Sequence, residues 1–259
     1  MPTYQLYRSG DALGAEENSG PVVFKVADSF AEREAAFRLV YAAYTRAGLI
    51  EPNPFEMRVT PYQLLETTDM FVAVQAGEVI STVSLVGDGE IGLPMEAIYD
   101  QEVEKLRCRR VRFAEVSSLA DRRRHLSRSL PLFVQLMRLM VQSARQQGIQ
   151  QLLVAVHPRH ARFYKRFLSF EPLGDEKSYP LVRNNPAVAL LLDFDKLDQV
   201  RPVNYETFFG ERLPAEQLRR CPISSEERTI FGPAAAYGIG FTPIGPSDEA
   251  MAPGGAAVA

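Results

Sequence analysis

The most constraining feature of this sequence is a strand–helix–strand–helix succession in the middle of the chain. Residues 111–120, VRFAEVSSLA, alternate apolar and small side chains and predict a strand. LSRSLPLFVQLMRLMVQSARQQG then predicts a long amphipathic helix that ends at Gly148. Residues 150–158 predict a second strand, and RHARFYKRFLSF predicts a second helix. Such a succession requires a sheet that is covered by helices.

The flanking regions extend the same alternation. Residues 22–27 are β-branched and predict a strand. The next helix begins at Ser29 with Glu32 three residues later, which is a capping box. Residues 70–89 predict a β-hairpin around an Ala-Gly pair, and residues 187–195 predict a buried strand. The order of elements therefore predicts a mixed α/β (α+β) domain with a central sheet.

Composition changes along the chain divide it into four parts. Residues 1–20 are polar and rich in Gly, Glu and Ser, and predict a flexible arm. The folded domain is predicted over residues 21–195. Residues 196–244 carry several aromatic side chains and predict an extension that packs on the domain. Residues 245–259, GPSDEAMAPGGAAVA, predict a disordered tail.

Charge and cysteine content exclude several classes of protein. The net charge of -3 gives no indication of nucleic-acid or membrane binding. The two cysteines form no CxxC motif, which favours a reducing compartment. No secretory signal is visible, and no apolar run reaches the roughly 18 residues of a membrane span. We therefore expect a cytoplasmic protein. His157 and His160 lack a third ligand, so no metal site is predicted.

Two short stretches carry a family resemblance. GLPME at residues 92–96 and AEVSSLA at residues 114–120 together resemble the FeeM-type N-acyl amino acid synthases. These synthases are relatives of the acyl-homoserine-lactone autoinducer synthases within the GCN5-related N-acyltransferase (GNAT) superfamily. The resemblance implies a central, mostly antiparallel twisted sheet with a splayed parallel strand pair and helices on both faces.

The same resemblance implies the acyl donor. Members of the superfamily use acyl-CoA or acyl carrier protein (acyl-ACP) as substrate, and no permanently bound cofactor is expected. The loop before the long helix has Ser127 and Ser129 where acetyl-CoA enzymes have glycines. Because glycine lets a backbone approach a pyrophosphate closely, its loss disfavours tight binding of CoA. A cluster of arginines between residues 107 and 128 would suit an acidic carrier protein.

The resemblance also assigns roles to individual residues. Glu115 would be the general base and Tyr164 the acid that protonates the leaving thiolate. The backbone after Glu115 would bind the thioester at a strand bulge. The full set of donor-binding residues is predicted to be Val116, Ser117, Ser118, Arg122, Arg123, Arg124, Ser127 and Arg128. The acyl and acceptor pocket is predicted to contain Arg38, Tyr41, Phe133 and Met137.

Other interpretations of these residues remain open. Glu115 would be a structural acid if it pairs with a nearby arginine, and Tyr164 would be a core residue if it only packs. The arginines would be ordinary surface residues if they are solvated. Arg38 would pair with an acceptor carboxylate or simply face water, and Met137 would line an acyl tunnel or the core.

The predicted function is transfer of a medium or long fatty acyl group from acyl carrier protein, or from acyl-CoA, to the amine of an amino acid. The expected partners are acyl carrier protein and a small amine or amino acid. An acyl-homoserine-lactone synthase is the first alternative, although Ser118 stands where an arginine is expected. A non-catalytic acyl-binding module with the same fold is the second.

Overall fold

The computed structural model describes residues 20–122 and 126–238, with the backbone alone for residues 126–129. The predicted arm, apart from Gly20, and the predicted tail lie outside the described residues. Within them, no helix is both long and apolar enough to cross a bilayer.

Strands and helices alternate in the order that the sequence predicts. The strands are β1 Val23–Val26, β2 Thr68–Gln75, β3 Glu78–Gly87, β4 Phe113–Asp121, β5 Gln151–Val156, β6 Glu171–Tyr179 and β7 Asn185–Asp193. The helices are α1 Phe30–Arg46, α2 Glu96–Cys108, α3 Leu126–Gln146, α4 Pro158–Phe167, α5 Phe194–Val200, α6 Tyr205–Phe209 and α7 Ser225–Gly238. Short 3₁₀ turns span Pro61–Leu64 and Pro180–Val182.

The strands form one seven-stranded sheet in the order β1-β2-β3-β4-β5-β7-β6. All neighbours are antiparallel except β4 and β5, which pair in parallel only from Phe113 with Gln151 to Glu115 with Leu153. Beyond Glu115, β4 continues to pair with β3, and β5 continues with β7. The two strands therefore separate at Glu115. The mixed α/β fold with a splayed parallel pair is confirmed.

Apolar cores lie on both faces of the sheet. On one face, α3 and α4 cover the sheet, and Leu136, Met137 and Tyr164 belong to the same buried cluster. On the other face, α1 and α7 bury Phe37 and Phe231 against β2. The amphipathic pattern of α3 explains its position, because its apolar side faces the sheet.

Two elements differ in type or length from the sequence expectation. Residues 60–68, TPYQLLETT, favour a short helix by their sequence but form only a 3₁₀ turn at Pro61–Leu64. The segment EPLGDEKSYPLV after α4 favours a turn followed by a strand in the sequence, and it forms a full nine-residue strand, β6, at the edge of the sheet. Most of its residues are exposed, and its register shifts between Pro172 and Gly174 and again between Gly174 and Lys177, which explains why the sequence does not indicate the full length of the strand.

Candidate active site

Glu115 lies where β4 and β5 part. Its parallel partner Leu153 is the last one that β4 finds on β5. The side chain is only 3% exposed, and its strand neighbours Ala114 and Val116 belong to the core on the opposite face. A carboxyl group is therefore held at the inner end of the opening between the two strands.

The contacts of Glu115 are those of an unpaired acid. Its Oε2 accepts a hydrogen bond of 2.8 Å from the backbone N–H of Met95. No cation lies within 4.0 Å of it among the described residues. The interpretation as one half of a structural ion pair thus finds no partner in the described part of the chain.

Burial controls the protonation of Glu115. It raises the pKa of this carboxyl to about 8, while the Met95 amide lowers it and the nearby Glu96 charge raises it further. A carboxyl with a pKa in this range releases and accepts a proton near neutral pH, which is the property that a general base needs.

The GLPME stretch forms the turn that presents the Met95 amide. Gly92 adopts a φ of +69°, which a side chain rarely allows. The Leu93 N–H donates to Glu96 Oε1 at 2.6 Å, and Arg107 binds the same carboxylate from α2. The two stretches that carry the family resemblance therefore meet, because one supplies the acid and the other supplies the amide that holds it.

Three phenols from three separate elements lie within electrostatic range of this acid. Burial first, and then the charge of Glu115, raises the pKa of Tyr44, Tyr62 and Tyr179. These residues lie on α1, on the first 3₁₀ turn and at the end of β6. The predicted pocket contains Tyr41 of α1 but none of these three phenols, and the segments of Tyr62 and Tyr179 show no motif in the sequence.

Tyr164 belongs to the same region from the opposite face of the sheet. It is 8% exposed on α4, and its ring packs edge-on against Phe170 at 5.5 Å. Burial strongly raises the pKa of Tyr164, and the charge of Tyr44 raises it further. The phenol therefore keeps its proton at neutral pH. Its role as the acid stays a prediction.

The predicted strand bulge is present after Glu115. Thr82 pairs with Ala120 and Ser84 pairs with Ser117, so two residues of β4, Ser118 and Leu119, face one residue of β3. Ser118 adopts a φ of +52°. A bulge of this kind interrupts the regular hydrogen-bond ladder. Backbone N–H groups at such an interruption are available to a ligand, as the predicted thioester site requires. The binding of the thioester there remains a prediction.

The side chains of that segment have distinct surroundings. The amide of Gln63 donates to the Ser118 hydroxyl at 3.0 Å and to the Ser84 hydroxyl at 3.3 Å. Ser117 is partly exposed, and Val116 belongs to the core with α3. The donor-binding role of these three residues therefore remains a prediction.

The predicted arginine patch is only partly visible. Arg122 is exposed and pairs with Glu78 at the start of β3. Arg123 and Arg124 lie outside the described residues, as do the side chains of Ser127 and Arg128.

A second basic surface lies on α4, and the sequence prediction did not include it. Its exposed cations are Arg159, Arg162, Lys165 and Arg166. None has an acidic partner within 4.0 Å among the described residues. We call this set the α4 basic face. The composition of HPRHARFYKRF was the signal that could have indicated it.

The predicted acyl and acceptor residues are dispersed. Arg38 is 46% exposed and is bound by Glu34 at 2.8 Å on its own helix, and Tyr41 is partly exposed beside it. Phe133 meets Phe163 edge-on at 5.5 Å. Met137 is buried and lines a small apolar cavity with residues of α4, α5 and α6. Their roles remain predictions.

No group of three or more histidine, cysteine or acidic side chains suited to a metal ion occurs in residues 20–122 and 126–238.

The chain matches known proteins over most of this region. The family model of the N-acyl amino acid synthase FeeM matches residues 35–193. The solved structure of FeeM, an N-acyl amino acid synthase from uncultured soil microbes, is 25% identical with a TM-score of 0.62. That likeness covers 72% of this chain and 97% of FeeM. None of the proteins with curated descriptions matches the sequence.

Two autoinducer synthases share the fold at lower identity. The AHL synthase LasI is 14% identical with a TM-score of 0.54, over 76% of this chain and 98% of LasI. The CoA-dependent acyl-homoserine lactone synthase BjaI, solved with SAM and isopentyl-CoA, is 17% identical with a TM-score of 0.51. That likeness covers 71% of this chain and 91% of BjaI.

Proposed function

This chain belongs to the FeeM family of N-acyl amino acid synthases, whose model covers more than half of it, and from that membership we propose how its site works. The protein is an N-acyltransferase. We infer that it transfers a medium or long fatty acyl group from a carrier-protein thioester to the α-amine of an amino acid, with Glu115 as the general base.

One observation carries this proposal. The carboxyl of Glu115 is buried at the point where β4 and β5 separate, and it has no cationic partner in the described chain. A buried acid is costly unless it is neutral or paired, so a fold retains one where its protonation is used.

The proposed reaction conserves protons. Glu115 takes one proton from the ammonium group of the acceptor, and the free amine attacks the thioester carbonyl. Backbone N–H groups at the Ser118 bulge stabilise the oxyanion. When the intermediate collapses, the C–S bond breaks, and the thiolate receives a proton from Tyr164. The phenolate regains a proton from the nitrogen, and Glu115 releases the proton it took to the solvent, so the products are an amide, a thiol and one proton.

The α4 basic face supports a carrier protein as the donor. Its four exposed cations, which have no acidic partner among the described residues, form a surface that complements an acidic carrier protein. The same helix carries Tyr164, so a carrier docked on α4 would deliver its thioester close to the proposed acid.

Mass spectrometry of lipid extracts tests the function. A bacterial host that expresses the chain is expected to accumulate new N-acyl amino acids, whose masses identify both substrates. The Glu115→Gln variant, expressed at the same soluble level, is expected to lower the product by about 100-fold or more. An extract from the wild-type host that matches the empty host would contradict the proposal.

A charge-reversal experiment tests the donor. Replacement of Arg162 and Lys165 by Glu is expected to raise KM for an acyl-carrier protein at least tenfold. The rate with the same acyl group on free pantetheine, which has no carrier protein to dock, is expected to stay the same. Arg219→Glu, an exposed cation on the loop before α7, is the control. Equal losses with both donors would show that α4 does not bind the carrier.

A further inference from the structure

Arg58 has an unusual environment for a basic residue. It lies on the loop between α1 and the first 3₁₀ turn, and its Nε is buried without a hydrogen-bond partner. Among the described residues, the guanidinium donates only to the Leu181 carbonyl, at a long 3.4 Å. No carboxylate in the described chain lies within 4.0 Å of it.

The guanidinium acts on two of the phenols on which the charge of Glu115 also acts, Tyr44 and Tyr179. It stacks over the ring of Tyr44, with the carbon of the guanidinium 5.0 Å from the ring centroid. The charge of Arg58 lowers the pKa of Tyr44 and Tyr179, against the larger effect of burial, and the charge of Glu115 raises it. An acid and a guanidinium thus share two neighbours without pairing with each other.

This pattern indicates an anion that is not part of the described chain. A guanidinium that is taken out of water loses its hydrogen bonds to water. A bound carboxylate replaces them with two parallel hydrogen bonds. Within the described part of the chain, Arg58 makes one marginal hydrogen bond, and its buried Nε has no partner. The fork that a carboxylate needs is therefore still available.

We propose that Arg58 binds the α-carboxylate of the acceptor, so that the protein selects free amino acids over amines that lack a carboxylate. This inference rests on the proposed function, because it assigns the second charged group of the acceptor. An α-amino acid carries its amine and its carboxylate on one carbon. The amine would face Glu115 and the carboxylate Arg58, with Tyr44 and Tyr179 beside both.

Arg38 is the competing candidate, and its environment differs. Its guanidinium already binds Glu34 at 2.8 Å and is 46% exposed, so it offers no unpaired buried donor. An arginine that is solvated and paired gains little from a further carboxylate.

Three acceptors with the same side chain test the inference with purified enzyme: phenylalanine, phenylalaninamide and phenethylamine. The donor is one acyl-carrier protein. Wild-type enzyme is expected to favour the free acid by about 10- to 100-fold in kcat/KM over the other two. Arg58→Gln is expected to remove this preference by raising KM for the acid far more than KM for the amide. Arg58→Lys is expected to retain part of it.

Binding gives a readout that does not depend on turnover. Titration calorimetry of phenylalanine into Glu115→Gln and into Glu115→Gln/Arg58→Gln is expected to show at least tenfold weaker binding to the double variant. Arg183→Gln, whose exposed arginine pairs with Glu51 nearby, is the matched control. Thermal melting verifies that each variant is folded.

The outcomes separate the two claims. If wild-type enzyme acylates all three acceptors equally, or if Arg58→Gln keeps the preference for the acid, the role of Arg58 is wrong and the proposed function stands. If Arg38→Gln rather than Arg58→Gln removes the preference, the carboxylate site lies at the surface of α1. If wild-type enzyme acylates no amine from any free or carrier-bound thioester, both proposals fail.

Discussion

Glu115 combines two properties that oppose each other in energy. Its burial favours the neutral acid, whereas its proposed reaction needs the carboxylate. The Met95 amide reduces this conflict, because it donates to the carboxyl from the residue that caps α2. With the pKa at about 8, both forms are populated near neutral pH.

The pH dependence of the rate follows from this pKa. For turnover limited by the base, kcat/KM is expected to rise about tenfold per pH unit up to about pH 8 and then to level off. Steady-state rates between pH 5.5 and 9.5, with acceptors whose amines have different pKa values, test this. If the pH at which kcat/KM levels off changes with the pKa of the acceptor amine, the assignment of this pKa to Glu115 is wrong.

The same shift predicts an unusual stability profile. A raised pKa means that the native state holds the proton more tightly than the unfolded state, so Glu115 makes the protein less stable as the pH rises from about 4.5 to about 8. Glu115→Gln is therefore expected to match wild type at pH 4.5. Above pH 8 it is expected to exceed wild type by on the order of a few kcal/mol.

Urea denaturation at both pH values measures that difference. Glu90→Gln, which changes an exposed glutamate in the same way, is expected to follow wild type throughout. A constant offset between Glu115→Gln and wild type at all pH values would mean that the native pKa of the carboxyl is not raised.

At the scale of elements, α2 positions the amide that binds Glu115. Tyr99 of α2 anchors this helix to the edge of the sheet. Its hydroxyl is within hydrogen-bonding distance, 2.7 Å, of the carbonyl oxygens of both Asp175 and Ala187. Its ring covers Gly174 of β6 so closely that a Cβ there would lie 2.9 Å from two ring carbons. The glycine is thus a packing requirement of α2.

Gly174→Ala is expected to lower the free energy of unfolding by about 1–3 kcal/mol, because the pinned ring cannot withdraw from the added methyl group. Urea denaturation measures the loss. Gly232→Ala on α7, where nothing lies within 4 Å of the added Cβ, is the control and is expected to be neutral or slightly stabilising. Equal effects of the two changes would contradict the packing argument.

The sequence carried the local part of the site but not its assembly. AEVSSLA and GLPME indicated Glu115 and the turn that binds it, because each is a continuous segment with its own pattern. Tyr62, Tyr179 and Arg58 come from a 3₁₀ turn, a strand end and a loop, and only tertiary contacts bring them to Glu115. Their separation in the chain explains why no spacing in the sequence indicated them.

At the scale of the whole molecule, the region after β7 packs against α1, the helix at the proposed acceptor site. Phe231 of α7 packs against Phe37 of α1 at 5.0 Å, and α1 carries Tyr44. A buried ion pair joins the same two helices, because Arg33 Nη1 donates to Glu227 Oε1 at 2.7 Å. The family match ends at residue 193, before α7.

Arg33 is held by a network rather than by one bond. It also donates to the backbone carbonyls of Ala27 and Cys221, at 2.9 and 2.7 Å. Its side chain is 6% exposed, and that of Glu227 is 11% exposed. Burial opposes ionisation of Glu227, but hydrogen bonds from Ser224 and Arg33 outweigh it and lower its pKa. The pair therefore stabilises the fold at neutral pH and weakens as acid protonates Glu227.

Glu227→Gln is expected to lower the free energy of unfolding by about 3–5 kcal/mol at pH 7, because it leaves the Arg33 charge buried without a counter-ion. The loss is expected to shrink as the pH falls below the usual range of a glutamate, where wild type also loses the pair. Urea denaturation at pH 7 and pH 4 measures both values. Glu66→Gln breaks the exposed pair with Arg228 on the same helix and is expected to cost less than about 1 kcal/mol. Similar costs for the two variants would show that the buried Arg33–Glu227 pair stabilises the fold no more than the exposed pair does. The aromatic contacts would then be the main link between α7 and α1.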